Sequence, residues 1–403
     1  MSTSVPQTLA PPSNTVLTIS LCFLVAVIEG FDIQAMGVAA PRFAPEFGLT
    51  PEQMGWVFSI SNIGLVIGAS LGGWLADRVG RKPVFIGSVL TFGAFTLATA
   101  LTSTFEQLFF VRCCAGLGFG AALPNMMAVA AEISAPEKRA STAATMFCGM
   151  PLGGGTVALF TQVLPPDFDW RLLFIVGGIL PLLLAPVLHL FMVETLRKRE
   201  REAAPRPSAW RVLFRDGRAP ATLFLWLAFF PTLLILYLIL NWLPTLVVAK
   251  GLDSIVAPQA SLAFNFGSVA GALVLGRVVD RFGARWPLTF AYAALIATLT
   301  TLAASRGLSA IIALSGAAGF FLLGANYALY GVAAAYYPQT MRGTGSGASV
   351  AIGRVGAIAG PVLAGLLLGA GTSASNVVLY LAPVAAVAAL GVFLLGFCRR
   401  PED

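Results

Sequence analysis

Charge is scarce in this chain. Of its 403 residues only 11% are Asp, Glu, Lys or Arg, about half the proportion a soluble globular domain carries. A single histidine, His189, leaves no credible Ser/His/Asp set, and a packing role is expected for it. The five cysteines, Cys22, Cys113, Cys114, Cys148 and Cys398, lack ligand-like spacing. They read as small apolar packing residues, so neither a metal nor a disulfide is expected. No Gly-x-x-x-x-Gly-Lys-Ser/Thr loop occurs to cradle a nucleotide phosphate. An enzyme is not expected, nor a cofactor.

What is abundant is apolar sequence, 57% of the chain. It comes in twelve blocks of about 20 residues, the length that crosses a hydrocarbon core of roughly 30 Å as a helix. A closed β-barrel, the other spanning solution, needs short alternating strands, and these runs do not alternate. The expected fold is an all-α membrane protein whose twelve transmembrane helices form two pseudo-symmetric six-helix bundles. With both termini in the cytoplasm, 19 of the 25 Lys and Arg fall in cytoplasmic segments and four, Arg42, Arg171, Lys250 and Arg306, in outer loops. That asymmetry is the positive-inside signature of a multi-pass membrane protein, and a bacterial inner membrane is its expected location. The net charge of +7 therefore reports orientation in the lipid bilayer, and a nucleic-acid partner is not expected. The first apolar block contains Glu29 and Asp32, which makes it a poor signal-peptide core.

The expected segments are a cytoplasmic tail at 1–15, a six-helix bundle at 16–194, a linker at 195–219, a second bundle at 220–398 and a tail at 399–403. The linker carries Arg197-Lys198-Arg199-Glu200-Arg201-Glu202, then Pro205 and Pro207, a composition suited to connecting two bodies. The halves repeat. Gly73-x-x-x-Asp77-Arg78-x-Gly80-Arg81-Lys82 follows the second span, and Gly276-x-x-x-Asp280-Arg281-x-Gly283-x-Arg285 follows the eighth. Asp77 and Asp280 differ by 203 in number, as do Pro41 and Pro244, and Arg139 and Arg342. Duplicated six-helix units place a substrate site near midplane between the halves.

The paired loops resemble the signature of the major facilitator superfamily. The resemblance implies a cytoplasmic loop that controls alternation between inward-open and outward-open states. Gly80 and Gly283 permit a tight turn. Asp77 and Asp280 can pair with an arginine or a helix N-terminus in one state only. The plainer alternative is that Arg78, Arg81, Lys82 and Arg281 merely set topology.

Buried charge breaks the repeat. A shift of 203 carries Glu29 to Thr232, Asp32 to Ile235 and Arg112 to Ser315, and carries Arg354 back to Pro151. A charge inside a bilayer costs about 2.5–3.5 kcal/mol on insertion scales and marks a functional path by default. A carboxylic acid can carry a proton, so Asp32, with Glu29 as its neighbour, is the expected proton site. Arginine stays charged and offers a bidentate fork to a carboxylate, which makes Arg354 the expected substrate anchor. Arg112 is the expected partner of the first-helix acids, and a permanent packing ion pair with Asp32 is the alternative. Gln34, Asn125, Asn241, Asn326, Tyr327 and Tyr330 could bind ring hydroxyls, while Phe147, Trp242 and Tyr330 could stack on a ring.

Glu29-Gly30-Phe31-Asp32, followed by Gly37 and Pro41, resembles the first-helix pattern of the aromatic acid:proton symporter family, whose usual form has Asp at the first acid. Asn241-Trp242-Leu243-Pro244-Thr245 resembles that family's seventh helix, and Gly353-Arg354-x-Gly356-Ala357 its eleventh. Gln53-Met54-Gly55-Trp56 and Gly120-Ala121-Ala122-Leu123-Pro124-Asn125 are similar to its hydroxyphenylpropionate-transporting branch. The resemblance implies proton-coupled import of a phenylpropanoate, benzoate or hydroxybenzoate. It also implies functional charges at Arg112, Glu132, Arg342 and Arg354, with Glu132, Arg139 and Arg342 counted among the gating residues. A monomer is expected. The competing reading is a proton-driven efflux antiporter. Its fifth-helix mark is imperfect in Gly149-x-Pro151-x-Gly153-Gly154-Gly155, where Gly and Pro are not adjacent.

Overall fold

The computed structural model describes residues 15–134, 142, 145–165, 167–192, 194, 209–253, 256–338 and 341–398. Among them are twelve helices long and apolar enough to cross a membrane. In the first half these are α1 Thr15–Glu46, α2 Pro51–Val79, α3 Arg81–Thr99, α4 Phe105–Ile133, α5 Thr145–Val163 and α6 Arg171–Phe191. In the second they are α7 Ala219–Ala249, α8 Ala257–Phe282, α9 Arg285–Ala304, α10 Leu308–Ala334, α11 Arg342–Gly369 and α12 Ala374–Leu395. A six-residue helix, Ala209–Phe214, precedes α7. The expected helical architecture is therefore present.

Local chemistry sets the helix starts. Thr50 accepts a hydrogen bond from the Gln53 amide while the Gln53 side chain accepts from the Thr50 amide, a reciprocal cap that launches α2 with Pro51 in its first turn. Two orphan donors are satisfied by four residues of sequence. Thr104 caps α4 and Ser373 caps α12 in the same way, with one bond each. The proline-bearing helices α1 and α7 run 32 and 31 residues, long enough to need tilt.

The repeat survives as packing. A Cβ at Gly68 of α2 would strike the Leu117 carbonyl of α4, and a Cβ at Gly271 of α8 would strike the Phe320 carbonyl of α10. Both members of the second pair lie 203 residues after those of the first. Small residues let these backbones touch. Gly149 and Gly153 of α5 pack against the backbone of α1 in the same manner, so the glycines of this stretch hold helices together. His189 is on the exposed surface of α6, not in the packed interior expected for it. The cysteines are free.

The halves join unevenly. Call the ends of α1 and α12 nearest the chain termini the terminal face, and the opposite side the far face. One apolar core takes in the far part of the first half and the full depth of the second, joining Phe43, Met54 and Phe58 to Trp242, Leu243 and Ala364 at the far side and reaching Leu288, Tyr337 and Leu395 at the terminal face. A second core, with Cys22, Val25, Phe85, Phe92 and Phe119, is confined to the first half near the terminal face. Hydrogen bonds tie the halves at the far side and at mid-depth. Ser59 donates to the Ile358 carbonyl at 2.7 Å, Gln259 to Gln162 at 3.3 Å, and Gln34 to the Leu240 carbonyl at 3.1 Å.

Candidate functional site

Two clusters of charge lie at mid-depth, and they differ in how well they are satisfied. In the first, Arg112 of α4 grips Asp32 of α1 with both terminal nitrogens, Nη2 to Oδ2 at 2.6 Å and Nη1 to Oδ1 at 3.0 Å. Thr96 of α3 donates to the same Oδ1 at 2.8 Å. The two side chains are 1% and 0% exposed, and the Phe174 ring lies 5.8 Å from the guanidinium. All of these groups belong to the first half, so the pair stays within one bundle. Breaking such a pair strands a buried charge, at a cost of about 3–5 kcal/mol.

In the second cluster Glu29 of α1 is 1% exposed, and neither carboxylate oxygen has a hydrogen-bond partner. It lies within electrostatic range of Arg354 of α11, across the boundary between the halves. Arg354 donates from Nη1 to the Tyr237 hydroxyl of α7 at 2.7 Å. Around it stand Tyr330, edge-on to Phe229 with ring centres 5.5 Å apart, and Asn326, whose Oδ1 has no partner. Tyr327, one turn along α10, donates across the boundary to the Phe147 carbonyl of α5 at 3.3 Å. The repeat shows what is special here. Thr232, the counterpart of Glu29, gives its hydroxyl to the Ala228 carbonyl and meets Tyr292. One half seats a satisfied hydroxyl where the other holds an unsatisfied acid.

The remaining expected binding residues divide. Asn326, Tyr330 and Arg354 gather at this second cluster. Phe147 meets it only through its backbone carbonyl, its ring packing against the first-half core and not offering the stacking surface expected of it. Gln34 does not; it bonds the Leu240 carbonyl and receives the Asn265 amide at 3.4 Å, which makes it part of the seam. Trp242 is 1% exposed, donates to the Pro361 carbonyl at 3.0 Å and packs edge-on against Phe58. Its ring fills the shared far core and faces no open space. Asn125 is fully buried in α4 and bonds the Ala121 carbonyl. Asn241 bonds the Tyr237 carbonyl and borders a small cavity. Tyr237 and Thr96 were not among the sequence candidates. Tyr237 lies one turn before Asn241 on the same helix, a spacing that could have flagged it; nothing marked Thr96.

At the terminal face both loop glycines take positive φ, 121° at Gly80 and 77° at Gly283, a conformation glycine adopts without penalty. Asp77 pairs with Arg81 one turn on at 3.1 Å. The partner of the α3 N-terminus is a residue that sequence reading missed. Glu194 accepts from the amides of Arg81 and Lys82 at 2.9 and 3.1 Å, a carboxylate on the positive end of a helix. The second half solves the same problem differently. Phe397 and Arg285, each 203 residues after Glu194 and Lys82, stack with the guanidinium 3.7 Å from the ring centre. Arg78 lies over Trp74 at 3.9 Å, Arg281 over Phe282 at 5.3 Å, and Asp280 is exposed. Arg342 donates to the Tyr337 carbonyl at 3.3 Å. Arg139 and the Glu132 side chain lie outside the described residues. Glu194→Ala should cost about 1 kcal/mol of stability, read as earlier thermal inactivation of the purified protein. Unchanged melting would show that the cap does not hold the loop.

The comparisons agree with this architecture. A family profile described as Major Facilitator Superfamily matches residues 22–263 and 257–403. The chain is 40% identical to the 3-(3-hydroxy-phenyl)propionate transporter of Escherichia coli K12, over 98% of this chain and 97% of that protein. It is 34% identical to the 4-hydroxybenzoate transporter PcaK of Pseudomonas putida, over 95% and 92%. It is 33% identical to the gallate transporter of that species, over 95% and 92%. Among solved structures, a bacterial homologue of the human lysosomal transporter Spinster superposes with a TM-score of 0.76, covering 96% of this chain and 98% of that one at 16% identity.

Proposed function

Because the chain belongs to the Major Facilitator Superfamily, we propose that it is a secondary transporter and not an enzyme, importing an aromatic carboxylate together with protons by alternating access. Relatives named for hydroxyphenylpropionate, hydroxybenzoate, gallate and benzoate support that substrate class. The observation that carries the mechanism is a buried Glu29 without a hydrogen bond, within electrostatic range of Arg354 in the opposite half. The Arg354 fork takes the substrate carboxylate, with Tyr237, Tyr330 and Asn326 around it. Glu29 takes the proton, since a carboxylate buried without a hydrogen bond is costly as an anion and a bound proton removes the charge. Once neutral, Glu29 no longer competes for Arg354, and the anion can bind. Proton and substrate thus favour one another.

This division of roles moves the proton from Asp32, where sequence reading put it, to its neighbour. Asp32 and Arg112 form the neutral framework that holds α1 against α3 and α4. The loop after α2, with Asp77, Arg78, Gly80 and Arg81, and the loop after α8, with Asp280 and Arg281, govern alternation, and Glu132, Arg139 and Arg342 belong with them. With both termini cytoplasmic, as the lysine and arginine asymmetry favours, the far face is the outer face. The shared core there then corresponds to a state closed outward. The transporter acts as a monomer.

In right-side-out vesicles, labelled 3-(3-hydroxyphenyl)propionate or 4-hydroxybenzoate should accumulate under an imposed proton gradient, and a protonophore should abolish the accumulation. Uptake that persists unchanged after the protonophore would remove proton coupling. One proton with one monoanion moves no net charge, so a membrane potential alone should drive nothing. A second proton would recruit roughly 2.3 kcal/mol per 100 mV.

A further inference from the structure

A cavity of about 20 Å³ lies between α1, α2, α4 and α7. That is room for one oxygen atom with its hydrogens, since a water needs roughly 10–15 Å³ by this measure together with two to four polar partners. Its walls are largely apolar, from Ile33, Met36, Phe58, Leu65 and Phe119. Its polar lining is a small convergent set: Asn62 and Ser61 of α2, Arg112 of α4, and Tyr237 and Asn241 of α7.

These groups have hydrogen-bonding capacity left over. Arg112 is 1% exposed and its Nε has no partner, because Asp32 engages only the two terminal nitrogens. The buried Ser61 hydroxyl has no partner either. Asn62 is 5% exposed, and its amide makes no hydrogen bond among the described residues. The internal repeat sharpens that last point. Asn265, 203 residues after Asn62, gives its amide to Gln34 and to the Ser261 carbonyl. The second-half asparagine is committed to the seam, and the first-half asparagine is uncommitted.

Position completes the argument. Tyr237, which lines the cavity, also receives Arg354 on its hydroxyl at 2.7 Å. Asn241 lies one turn further along α7, roughly 5.4 Å of helical rise, a reach comparable to the width of a benzene ring. A ligand held by its carboxylate at Arg354 can therefore present the opposite edge of its ring to the polar lining.

We propose that Asn62, with Ser61 and the Arg112 Nε, forms a hydroxyl-binding subsite that selects ring-hydroxylated aromatic acids over their plain counterparts. This rests on the transport reading above and extends it to a residue outside the expected binding set. A ring hydroxyl there accepts from the Arg112 Nε–H and donates to the Asn62 carbonyl oxygen. An acid without that hydroxyl leaves buried polar groups unpaired, which is the strongest source of discrimination a binding site has.

The test is titration of purified protein with 3-(3-hydroxyphenyl)propionate and 3-phenylpropionate, which differ only in the hydroxyl. The unsubstituted protein should prefer the hydroxylated acid by about tenfold or more. Asn62→Leu should bring that ratio close to one, and Ser61→Ala should lower it by about threefold. Equal binding of the two acids by the unsubstituted protein would overturn the subsite and leave the transport reading standing. Binding of neither acid would overturn phenylpropionates as ligands and the subsite with them, while binding of 4-hydroxybenzoate in the same titration would leave the aromatic-carboxylate reading standing. An Asn62→Leu protein that keeps the original ratio would also overturn the subsite. If Asn62→Leu binds nothing, Ser61→Ala decides, and an unaltered ratio there counts against the proposal.

Discussion

Arg354→Lys should weaken substrate binding by about ten- to a hundredfold while leaving the fold intact, and Arg354→Ala should abolish binding. A hydrogen bond to a charged group is worth about 1.5–3 kcal/mol, which is one to two powers of ten in affinity. Lysine keeps the charge and loses the planar fork that meets both carboxylate oxygens at once. It also loses the directed contact with Tyr237, which holds Arg354 in place at 2.7 Å. The position tolerates change because Arg354 is only partly buried and its guanidinium donates to a neutral hydroxyl, that of Tyr237. A thermal-shift screen with aromatic acids would read both quantities together. The melting temperature without ligand should stay near that of the unsubstituted protein, and the shift caused by 3-(3-hydroxyphenyl)propionate should shrink or vanish. If Arg354→Ala still binds the acid with full affinity, the anchor lies elsewhere and the assignment of α11 to the substrate fails.

Sequence legibility followed the kind of physics involved. The twelve spans were readable because lipid imposes a long uniform signal, and the duplicated loop was readable because two glycines must adopt the same turn. Arg112, Asp32, Glu29 and Arg354 stood out because uncompensated charge is rare in apolar sequence. What sequence could not supply was pairing. Asp32 and Glu29 are three residues apart and chemically alike. Only the packed bundle brings Arg112 and Thr96 to one and leaves the other without a hydrogen bond. Polar residues in spans were harder still, since Gln34 and Asn326 look equivalent in a string of letters. Gln34 closes the seam by bonding a backbone carbonyl 206 residues away, and nothing local encodes that distance. Glu194 was hidden just ahead of the charged run that begins at Arg197, where one more acid looks like solvated surface.

The two first-helix acids should therefore part company when each is replaced by its amide. Glu29→Gln keeps the shape of a protonated carboxyl and removes the option of charge. Since neither oxygen of Glu29 is hydrogen-bonded, little packing or pairing is lost, and the melting temperature should hold. Arg354 then stays available to the anion at every pH, so substrate affinity should no longer weaken as pH rises. That weakening is expected of the unsubstituted protein because binding takes up a proton. Accumulation against a gradient should fall at least about tenfold, the loss of a step worth roughly 1.4 kcal/mol or more per proton moved, while exchange of labelled for unlabelled substrate continues. Asp32→Asn does something else. It strands the Arg112 charge among Phe174 and its apolar neighbours, with an expected loss of about 3–5 kcal/mol, so thermal stability, accumulation and exchange should decline together. The discriminating measurement is exchange set against accumulation for both variants, alongside their melting curves. Were Asp32→Asn to melt normally and exchange freely while Glu29→Gln accumulated substrate undiminished, the proton would belong to Asp32, and the ion pair with Arg112 would be the moving part.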